Sequence, residues 1–327
     1  MKAVVISSDA VSNKPTLEYK TVPDVAPEAH ELLIKVAAIG VNRIDLQRST
    51  AHGAPKGGRP LVAGLEMAGE VISVGSEVSG FSVGDRVMGM TPGAYAELAT
   101  IDHRFAMKIP EAFSFDQAAA VSTVYPTAYN ALVTNAQFSA GKTVLIQAIG
   151  SAVGIAALQI AKAMGARCVI GAGTSERFVS QLQELGLDKF VRSDLDDVPA
   201  AVSQATDGKG VDVIIDMVGG TVLEQNLQSV ALGGRIVNVG WVGATKGELD
   251  LDTLAKKRAT LIGVSFRTRT AEEKATLYAQ YREGVYPFYE NGAIQPVIQG
   301  VYPLADAEKI QDMMAGNNHF GKFILKP

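Results

Sequence analysis

The residues best suited to chemistry form a turn of small side chains, Ile149-Gly150-Ser151-Ala152-Val153-Gly154. A β-type run at 143–148 precedes this turn, and an alanine-rich apolar segment follows it as far as Met164. A second β-type run, at 168–172, closes the segment. Strand, turn, helix and strand within about thirty residues are typical of a dinucleotide-binding βαβ unit, whose turn brings backbone N–H groups and a helix N-terminus to a pyrophosphate.

The turn departs from the ideal glycine pattern G-x-G-x-x-G. Its three glycine positions hold Ile149, Ser151 and Gly154, and the last of these lets the helix pack closely on the strand. Ser151 and Ala152 are still small enough for the backbone to approach a phosphate, and the serine hydroxyl can donate to it. The turn alone is therefore compatible both with a nucleotide site and with a buried helix start in an unrelated α/β protein.

The end of the second strand indicates which nicotinamide cofactor would bind. An NAD site places Asp or Glu there to accept from the ribose 2′-hydroxyl. Here the chain reads Gly173-Thr174-Ser175-Glu176-Arg177, with two hydroxyls and a guanidinium that can hold a 2′-phosphate. This pattern predicts NADPH over NADH, although Glu176 points the other way. The alternative is that Ser175 caps the next helix and that Arg177 is a solvated residue of its first turn.

Composition is typical of a globular protein with two domains. The chain has 327 residues, of which 47% are hydrophobic and 20% charged, and its net charge of −4 disfavours a nucleic-acid or anionic-membrane surface. We find no signal-peptide pattern and no apolar run near the ~20 residues of a membrane span, so a cytoplasmic location is expected. The single cysteine, Cys168, excludes an internal disulfide and any multi-cysteine zinc site, and its apolar surroundings indicate a core residue.

The elements around these residues predict two architectures. Up to residue 101, short β-type runs separated by Gly and Pro indicate a compact β-barrel-like domain. From residue 115, helical patterns at 115–121 and 128–134 lead into β-type runs that alternate with helices, which indicates a doubly wound parallel sheet. These runs lie at 143–148, 168–172, 190–191, 211–216, 234–239 and 260–264. A helix at 271–289 and β-type runs at 295–302 and 322–326 follow, so the last segment is expected to rejoin the N-terminal domain.

Several segments spread over nearly the whole chain resemble one known family. They read Gly40-Val41-Asn42-Arg43-Ile44-Asp45-Leu46-Gln47-Arg48, Gly64-Leu65-Glu66-Met67-Ala68-Gly69-Glu70-Val71, Val83-Gly84-Asp85-Arg86-Val87, Tyr125-Pro126-Thr127-Ala128-Tyr129, Ser151-Ala152-Val153-Gly154, Gly263-Val264-Ser265-Phe266-Arg267-Thr268-Arg269 and Gly321-Lys322. Together they make the chain similar to the zinc-independent quinone oxidoreductases of the medium-chain dehydrogenase/reductase superfamily, in particular the p53-inducible quinone oxidoreductase-like branch.

The resemblance implies an α/β fold in which a Rossmann doubly wound parallel sheet is inserted into a GroES-like β-barrel catalytic domain. Residues 1–120 and 265–327 are expected to form the catalytic domain, and residues 121–264 the NADP-binding domain. The cofactor is expected in the cleft between them. Because relatives dimerise by joining the edges of their Rossmann sheets, a homodimer through the run at 260–264 is also expected.

The resemblance further implies that no metal takes part. Zinc-dependent relatives bind the catalytic metal through a Cys near position 42 and a His just before Glu66, where this chain has Asn42 and Leu65. The cysteine-rich structural zinc lobe is missing as well. Alcohol oxidation is not expected without a Lewis acid to hold an alcoholate. The expected reaction is hydride transfer from NADPH to a quinone, or to a conjugated enone or enal.

Three residues are candidates for the reacting end of the site. Asn42, in place of the metal-binding Cys, is expected to donate to the developing oxyanion or else to cap the helix at 44–48. Asp45 could orient Asn42 or relay a proton, and a solvated first-turn role is the preferred alternative. Thr127, by resemblance, lies against the nicotinamide with Tyr125 close by; the alternative for both is a helix start at Pro126.

Further residues are expected at the cofactor. Val218 and Gly219, like Gly240 and Trp241, follow successive parallel strands, where ligands gather in such sheets. Trp241 and Phe266 could wall the quinone or nicotinamide pocket, or equally belong to the core. By resemblance the set continues with Arg267, Asn317 and Lys322. A strand-edge charge is the alternative for Lys322.

Three departures from the family pattern affect the substrate and adenosine contacts. Gln47 stands where several quinone oxidoreductases carry a Tyr that lines the substrate site. His52-Gly53-Ala54-Pro55-Lys56-Gly57-Gly58 is an unusual pocket-loop sequence. Ser193 stands after the third strand where relatives commonly carry a Tyr, and the neighbouring Arg192 is expected to replace the adenosine contact of that Tyr.

Two other functions stay open at this point. An NADPH-dependent enone or enal double-bond reductase would need a proton donor at the substrate α-carbon, for which Tyr125 and Tyr129 are the candidates. A non-enzymatic NADPH-binding protein is the second alternative, since related chains have been recruited as crystallins.

Overall fold

The computed structural model describes residues 1–8, 15–47 and 60–327. By their internal contacts these residues divide into two compact units. The terminal unit comprises Met1–Thr123, Thr270–Glu290 and Gln295–Pro327, and the central unit comprises Val124–Arg269 and Asn291–Ile294. These units break after Thr123 and Arg269, within a few residues of the domain boundaries after 120 and 264 that we propose from the sequence.

The strands are numbered along the chain. In the terminal unit they are β1 (Lys2–Ser8), β2 (Pro15–Thr21), β3 (Glu31–Gly40), β4 (Glu66–Val74), β5 (Arg86–Met90), β6 (Leu98–Asp102) and β7 (Ala106–Lys108). In the central unit they are β8 (Thr143–Gln147), β9 (Cys168–Gly173), β10 (Lys189–Arg192), β11 (Val211–Asp216), β12 (Val230–Asn238) and β13 (Thr260–Gly263). The terminal unit then adds β14 (Ile298–Pro303) and β15 (Lys322–Lys326).

The α-helices are numbered in the same way. They are α1 (Phe115–Ala119), α2 (Val124–Tyr129), α3 (Ala152–Ala163), α4 (Val179–Glu184), α5 (Val198–Ala205), α6 (Leu223–Ser229), α7 (Leu251–Lys257), α8 (Ala271–Glu290) and α9 (Ala307–Ala315). Short 3₁₀ turns lie at Arg43–Gln47, His103–Phe105, Gly220–Val222 and Leu304–Asp306, and a π-helical turn at Asn130–Asn135 continues α2. Within the described residues, no helix is long and apolar enough to cross a membrane.

The central unit is built on a parallel sheet. Its described strands pair in the order β10-β9-β8-β11-β12-β13, and every neighbouring pair is parallel. β8 is buried along its whole length, which suits a strand covered by helices on both faces. The chain order reverses between β8 and β11, and ligands bind at such a switch point, outside the carboxyl ends of the strands. The doubly wound sheet expected from the sequence is confirmed.

The terminal unit is mainly antiparallel. Among its described strands the sheet order is β14-β15-β3-β4-β5-β7, with β6 also paired to β3. β15 lies antiparallel to β3, so the C-terminal strand rejoins the N-terminal strands as expected. Alternate residues of β3, among them Leu32 and Ile34, enter a core that also holds Met67 and Phe323.

Capping residues explain where two helices of the terminal unit begin. Ser114 and Gln117 form a reciprocal capping box at the start of α1. At α8, the Thr270 N–H donates to Glu273 Oε2 at 2.8 Å and the Glu273 N–H donates to Thr270 Oγ1 at 3.2 Å. Both pairs satisfy N–H groups that a helix leaves without intrahelical partners.

Some predicted bounds differ from the structure. The weak run at 190–191 is the four-residue strand β10, and β12 begins at Val230 rather than at 234. The helix predicted at 128–134 is split between α2 and the π-helical turn. Element ends depend on tertiary pairing, which local patterns do not contain. Arg48 and the loop His52–Gly58 lie outside the described residues.

Candidate functional site

The small-residue turn of the central unit connects β8 to α3. Ser151 adopts an extended backbone and caps α3, because its Oγ accepts from the Gly154 N–H at 3.1 Å. A Cβ at Gly154 would lie 2.7 Å from Ile149 O and 2.8 Å from Ala148 O. Gly150, in contrast, has open space where a Cβ would stand. The turn thus exposes the start of α3 at the carboxyl edge of the sheet, which is the geometry a phosphate needs.

The polar cluster after β9 is exposed. Thr174, Ser175 and Arg177 all face solvent, and the Arg177 guanidinium lies 5.1 Å from the centre of the Phe178 ring. The next helix, α4, begins at Val179 and has Phe178 at its N-cap position, with no side-chain capping hydrogen bond. The alternative in which Ser175 caps that helix is therefore wrong; its Oγ instead accepts from the Arg177 N–H at 3.3 Å.

Arg192 ends β10 directly beside the end of β9, in register with Gly173. Its guanidinium makes a two-point contact with Asp194, at 2.9 Å from Nε and 2.8 Å from Nη2. Its Nη1 lies 4.0 Å from Glu176. Hydrogen bonding to Asp194 raises the pKa of Arg192, so the guanidinium stays charged at this edge.

The loops after β11 and β12 lie at the same edge of the sheet. Val218 and Gly219 follow β11, and Gly240 and Trp241 follow β12. Trp241 is 51% exposed, so the core alternative for this residue is wrong. Phe266, which follows β13, is half-buried with the Arg269 guanidinium 6.0 Å from its ring centre.

Sequence reasoning missed two residues that shape these loops. Asp216, at the end of β11, is buried and accepts from the backbone N–H groups of Val218 and Gly219. Asn238, at the end of β12, donates to Asp216 and to Gly240 O. Burial raises the pKa of Asp216 against the lowering effect of these hydrogen bonds. The sequence signal that could have identified them is a polar residue at the end of an apolar strand, which Asp216 and Asn238 both are.

In the terminal unit, the candidates Asn42 and Lys322 form a buried polar network with Glu66, which was not predicted as a site residue. Lys322 Nζ donates to Asn42 Oδ1 at 2.7 Å and to Glu66 Oε2 at 2.8 Å. Asn42 Nδ2 donates to Glu66 Oε2 at 2.9 Å and to Gly40 O at 3.3 Å. Glu66 Oε1 accepts from the Thr123 N–H at 2.7 Å. Lys322 is only 3% exposed, so the strand-edge alternative is wrong, and Asn42 bridges the ion pair instead of capping the 3₁₀ turn.

Asp45 adjoins this network. It is 2% exposed, which rules out the solvated role that the sequence favoured. Its Oδ2 accepts from the Asn42 N–H at 2.8 Å and from the Tyr95 hydroxyl at 3.0 Å. Burial, reinforced by the charge of Glu66, raises the pKa of Asp45 to about 7, although its hydrogen bonds and Lys322 act in the opposite direction.

The remaining candidates are less closely grouped. Tyr125 is buried in α2, where its hydroxyl accepts from Gln159 Nε2 at 3.0 Å, and burial raises its pKa above the ordinary tyrosine value. Thr127, on the same helix, is half-buried. Asn317 lies outside the buried network, and its side chain pairs with exposed Arg43.

Both units match known protein families. Residues 28–111 match the family described as "Alcohol dehydrogenase GroES-like domain", and residues 152–280 match "Zinc-binding dehydrogenase". The human protein named "Quinone oxidoreductase" is 34% identical over 305 residues, covering 91% of this chain and 90% of that protein.

Solved structures extend the likeness to the fold. A mycobacterial protein solved in complex with NADPH superposes with a TM-score of 0.85 at 28% identity, covering 100% of both chains. The CurK enoyl reductase superposes with a TM-score of 0.84 at 26% identity, covering 99% of this chain and 98% of that one. With these matches over both units, the chain belongs to the quinone oxidoreductases of the medium-chain dehydrogenase/reductase superfamily and is an oxidoreductase of that family.

Proposed function

We propose that the protein transfers hydride from NADPH to quinone-type acceptors without a bound metal. The observation that carries this proposal is the presence of two arginines where adjacent strands end: Arg192 closes β10 in register with Gly173, and exposed Arg177 lies four residues after Gly173 closes β9. A 2′-phosphate needs such donors, whereas a 2′-hydroxyl needs a carboxylate at the strand end. Identity to the human quinone oxidoreductase supports the acceptor class.

The cofactor contacts are proposed as follows. The turn Gly150-Ser151-Ala152-Val153-Gly154 holds the pyrophosphate at the start of α3. Arg177, with Thr174 and Ser175, holds the 2′-phosphate, and Arg192 adds a charge beside them. The other proposed contacts are Tyr125, Thr127, Gly173, Val218, Gly219, Gly240, Trp241, Phe266, Arg267, Asn317 and Lys322.

The reacting end is proposed to lie at Asn42, Asp45 and Thr127. When bound, NADPH supplies the hydride, and reduction of a quinone to a hydroquinone also consumes a proton. Lys322 and Glu66 together fix the plane of the Asn42 amide, whose Oδ1 accepts from Lys322 and whose Nδ2 donates to Glu66 and to Gly40 O. With these partners in place, the Asn42 amide has no hydrogen left for a developing oxyanion, so its proposed role is to orient the ion pair at the reacting end. Asp45, with a pKa of about 7, can hold a proton at neutral pH, as a proton relay requires.

The residues around Glu66 do not fit a zinc ion. Glu66 is the one carboxylate of the network, and its two oxygens already accept from Thr123, Asn42 and Lys322. An ammonium group at 2.8 Å from the carboxylate would repel the metal. Among the described residues, no three His, Cys, Asp or Glu side chains come together as a metal cluster. We expect prolonged dialysis against a chelator to leave the quinone reductase rate unchanged; a rate restored only by zinc would contradict this.

An enone or enal reductase is the second candidate, supported by the likeness to the CurK enoyl reductase. This reaction needs a proton donor at the substrate α-carbon. Tyr125 is poorly suited, because its hydroxyl is buried against Gln159 and its pKa is raised. Of the two tyrosines considered as this donor, Tyr125 is therefore not favoured.

Turnover assays separate the candidates. Oxidation of NADPH is followed by its absorbance in the presence of 1,4-benzoquinone, 9,10-phenanthrenequinone or a 2-alkenal. We expect the quinones to accelerate oxidation strongly and the alkenal weakly. Faster oxidation with the alkenal would favour the double-bond reductase. If none of these acceptors works while NADPH still raises the melting temperature, both enzyme proposals fail and a non-enzymatic NADPH-binding protein is favoured.

The cofactor preference is tested with Arg177→Ala. Because the loss of a charge-assisted contact to the 2′-phosphate affects only NADPH, we expect its KM to rise about tenfold while the KM for NADH stays within about twofold. Arg167→Ala is the matched control, since Arg167 is exposed just before β9 begins, at the opposite edge of the sheet. Equal effects of Arg177→Ala on both cofactors would exclude the role of Arg177.

We also propose a homodimer through β13. This strand ends the described sheet order, and its backbone leaves one side without a described strand partner. Leu261 on this strand is 41% exposed. Pairing with β13 of a second copy would extend the sheet and cover this side chain.

A further inference from the structure

A buried carboxylate joins the loops that follow β11 and β12. Asp216, the last residue of β11, is 2% exposed. Its Oδ1 accepts from the Val218 N–H at 2.7 Å and from the Gly219 N–H at 3.0 Å. Its Oδ2 accepts at 3.3 Å from Nδ2 of Asn238, the last residue of β12. One side chain thus restrains the start of the first loop and contacts the strand that leads into the second.

Asn238 carries the restraint into the second loop. Its Nδ2 also donates to Gly240 O at 2.8 Å. Asp216 and Asn238 are register partners in the sheet, and the Val239 N–H donates to Asp216 O at 2.7 Å. The carboxylate and the amide therefore set the path of both chains as they leave the sheet.

Close backbone packing couples the two loops. Gly219 has a φ of +86°, and a Cβ there would lie 2.6 Å from Ala244 O and 3.0 Å from the Trp241 Cα. The Gly220 N–H donates to Ala244 O at 2.9 Å. Displacing one loop therefore displaces the other.

The second loop presents apolar surface. Trp241 and Val242 are 51% and 62% exposed, side by side at the carboxyl edge of the sheet. Neighbouring exposed apolar side chains at this edge suit a ligand that covers them. β11 and β12 lie on the opposite side of β8 from β9 and β10. A dinucleotide whose adenosine half lies at Arg177 therefore extends its nicotinamide half toward these loops.

We propose that Asp216 and Asn238 are positioning residues, which hold the loops at 217–221 and 239–243 in place for the nicotinamide half of the cofactor. The inference rests on the proposed function in taking NADPH as the ligand. Neither side chain has to touch the cofactor, since both act through the backbone that they hold.

Asp216→Asn removes this restraint with little change in shape. The new amide oxygen still accepts from Val218 and Gly219, but its NH₂ group then faces the NH₂ group of Asn238. Either two donors oppose each other, or Asn238 rotates and releases Gly240 O. Both results loosen the second loop.

Asp212→Asn is the matched control. Asp212 lies on the same strand, and its Oδ2 also accepts from a backbone N–H and a side-chain donor, Thr143 N at 2.7 Å and Thr143 Oγ1 at 2.8 Å. Its contacts, however, lie toward the amino end of β11, away from both loops. The Asp212→Asn variant therefore shows how far an equivalent substitution weakens ligand binding through the sheet alone, without a change in either loop.

Calorimetric titration of purified protein with NADPH and with 2′,5′-ADP, which represents the adenosine half alone, tests the proposal. Quenching of Trp241, the single tryptophan of the chain, gives a second readout for NADPH. We expect Asp216→Asn to raise the Kd for NADPH about tenfold and to leave the Kd for 2′,5′-ADP within about twofold. Asp212→Asn is expected to change neither by more than about twofold.

The outcomes separate this inference from the proposed function. Equal weakening of NADPH and 2′,5′-ADP by Asp216→Asn, or equal effects of Asp216→Asn and Asp212→Asn, would overturn the positioning role while leaving NADPH as the ligand. A wild-type protein that binds neither ligand would overturn both. If Asp216→Asn does not fold, Asn238→Ala decides: weaker binding of NADPH alone supports the role, and unchanged or equal binding of the two ligands overturns it.

Discussion

At the scale of single residues, the terminal unit is organised around one buried ion pair. Glu66 is fully buried, and Lys322 is its cationic partner at 2.8 Å. A buried pair is costly to form, but removing one member is costlier, because the other then remains charged without compensation. The pair therefore holds Asn42 in one orientation for as long as both members are present.

Lys322→Met tests this ion pair. We expect the free energy of unfolding to fall by about 3–5 kcal/mol, because the Glu66 carboxylate loses its partner. The double variant Lys322→Met/Glu66→Gln should recover part of this loss. Lys326→Met is the control on the same strand, since Lys326 and its partner Asp116 are partly exposed, and we expect it to cost less than about 1 kcal/mol. Urea denaturation measures all three, and equal losses at Lys322 and Lys326 would contradict the buried role.

The raised pKa of Asp45 makes the free energy of unfolding depend on pH. Its pKa is about 7 in the folded protein and near the ordinary aspartate value of 3.8 in the unfolded chain, so the folded state holds the extra proton between these values. Stability contributed by protonated Asp45 is therefore lost as the pH rises through this window. From about pH 5 to about pH 8, we expect wild type to lose about 2–3 kcal/mol relative to Asp45→Asn.

Urea denaturation of both proteins at the two pH values measures this difference. Asn at position 45 keeps an acceptor for the Asn42 N–H and the Tyr95 hydroxyl, so the comparison isolates the titration of the carboxyl group. A stability difference that stays constant with pH would show that Asp45 is ionised throughout the range.

At the scale of elements, the close packing of α3 on the end of β8 depends on one glycine. A Cβ at Gly154 would come within 2.7 Å of backbone oxygen, whereas a Cβ at Gly150 would meet open space. We expect Gly154→Ala to destabilise the protein by about 1–3 kcal/mol, since backbone has to move, and Gly150→Ala to change stability by less than about 1 kcal/mol. Thermal unfolding of the two variants and the wild type without ligand measures these stability changes. If Gly154→Ala were as stable as wild type, α3 could move away from β8 without a loss of stability, which would contradict the prediction.

At the scale of the whole molecule, the sheet of the central unit determines how copies would assemble. Because β13 has an exposed side chain and an edge that pairs with no described strand, a charge at Leu261 should prevent pairing of two copies. We expect wild type to be a dimer and Leu261→Lys a monomer by light scattering coupled to size exclusion. Leu232→Lys is the control, as Leu232 is 64% exposed on β12 and should leave the dimer intact. A monomeric wild type would contradict the proposed assembly.

Much of the central unit could be predicted from the sequence because its signals are local. Apolar runs, the small-residue turn and Gly154 all act within a few neighbouring residues, so they indicate the doubly wound parallel sheet, whereas its strand order came from the structure. The roles of Asp45, Asp216 and Trp241 could not be read in this way. Whether a side chain is buried depends on segments that pack against it from elsewhere in the chain. The residues next to Asp45 are therefore compatible with a solvated turn as well as with the buried one observed.

By itself, the sequence determined the fold class, the family and the position of the turn and strand ends where a nucleotide would bind. The tertiary structure alone decided which charges meet. Lys322 lies 256 residues from Glu66 and 280 residues from Asn42 along the chain, yet it donates to both. Local chemistry follows from neighbouring residues, whereas a buried ion pair forms only after β15 has paired with β3 and excluded water from both partners.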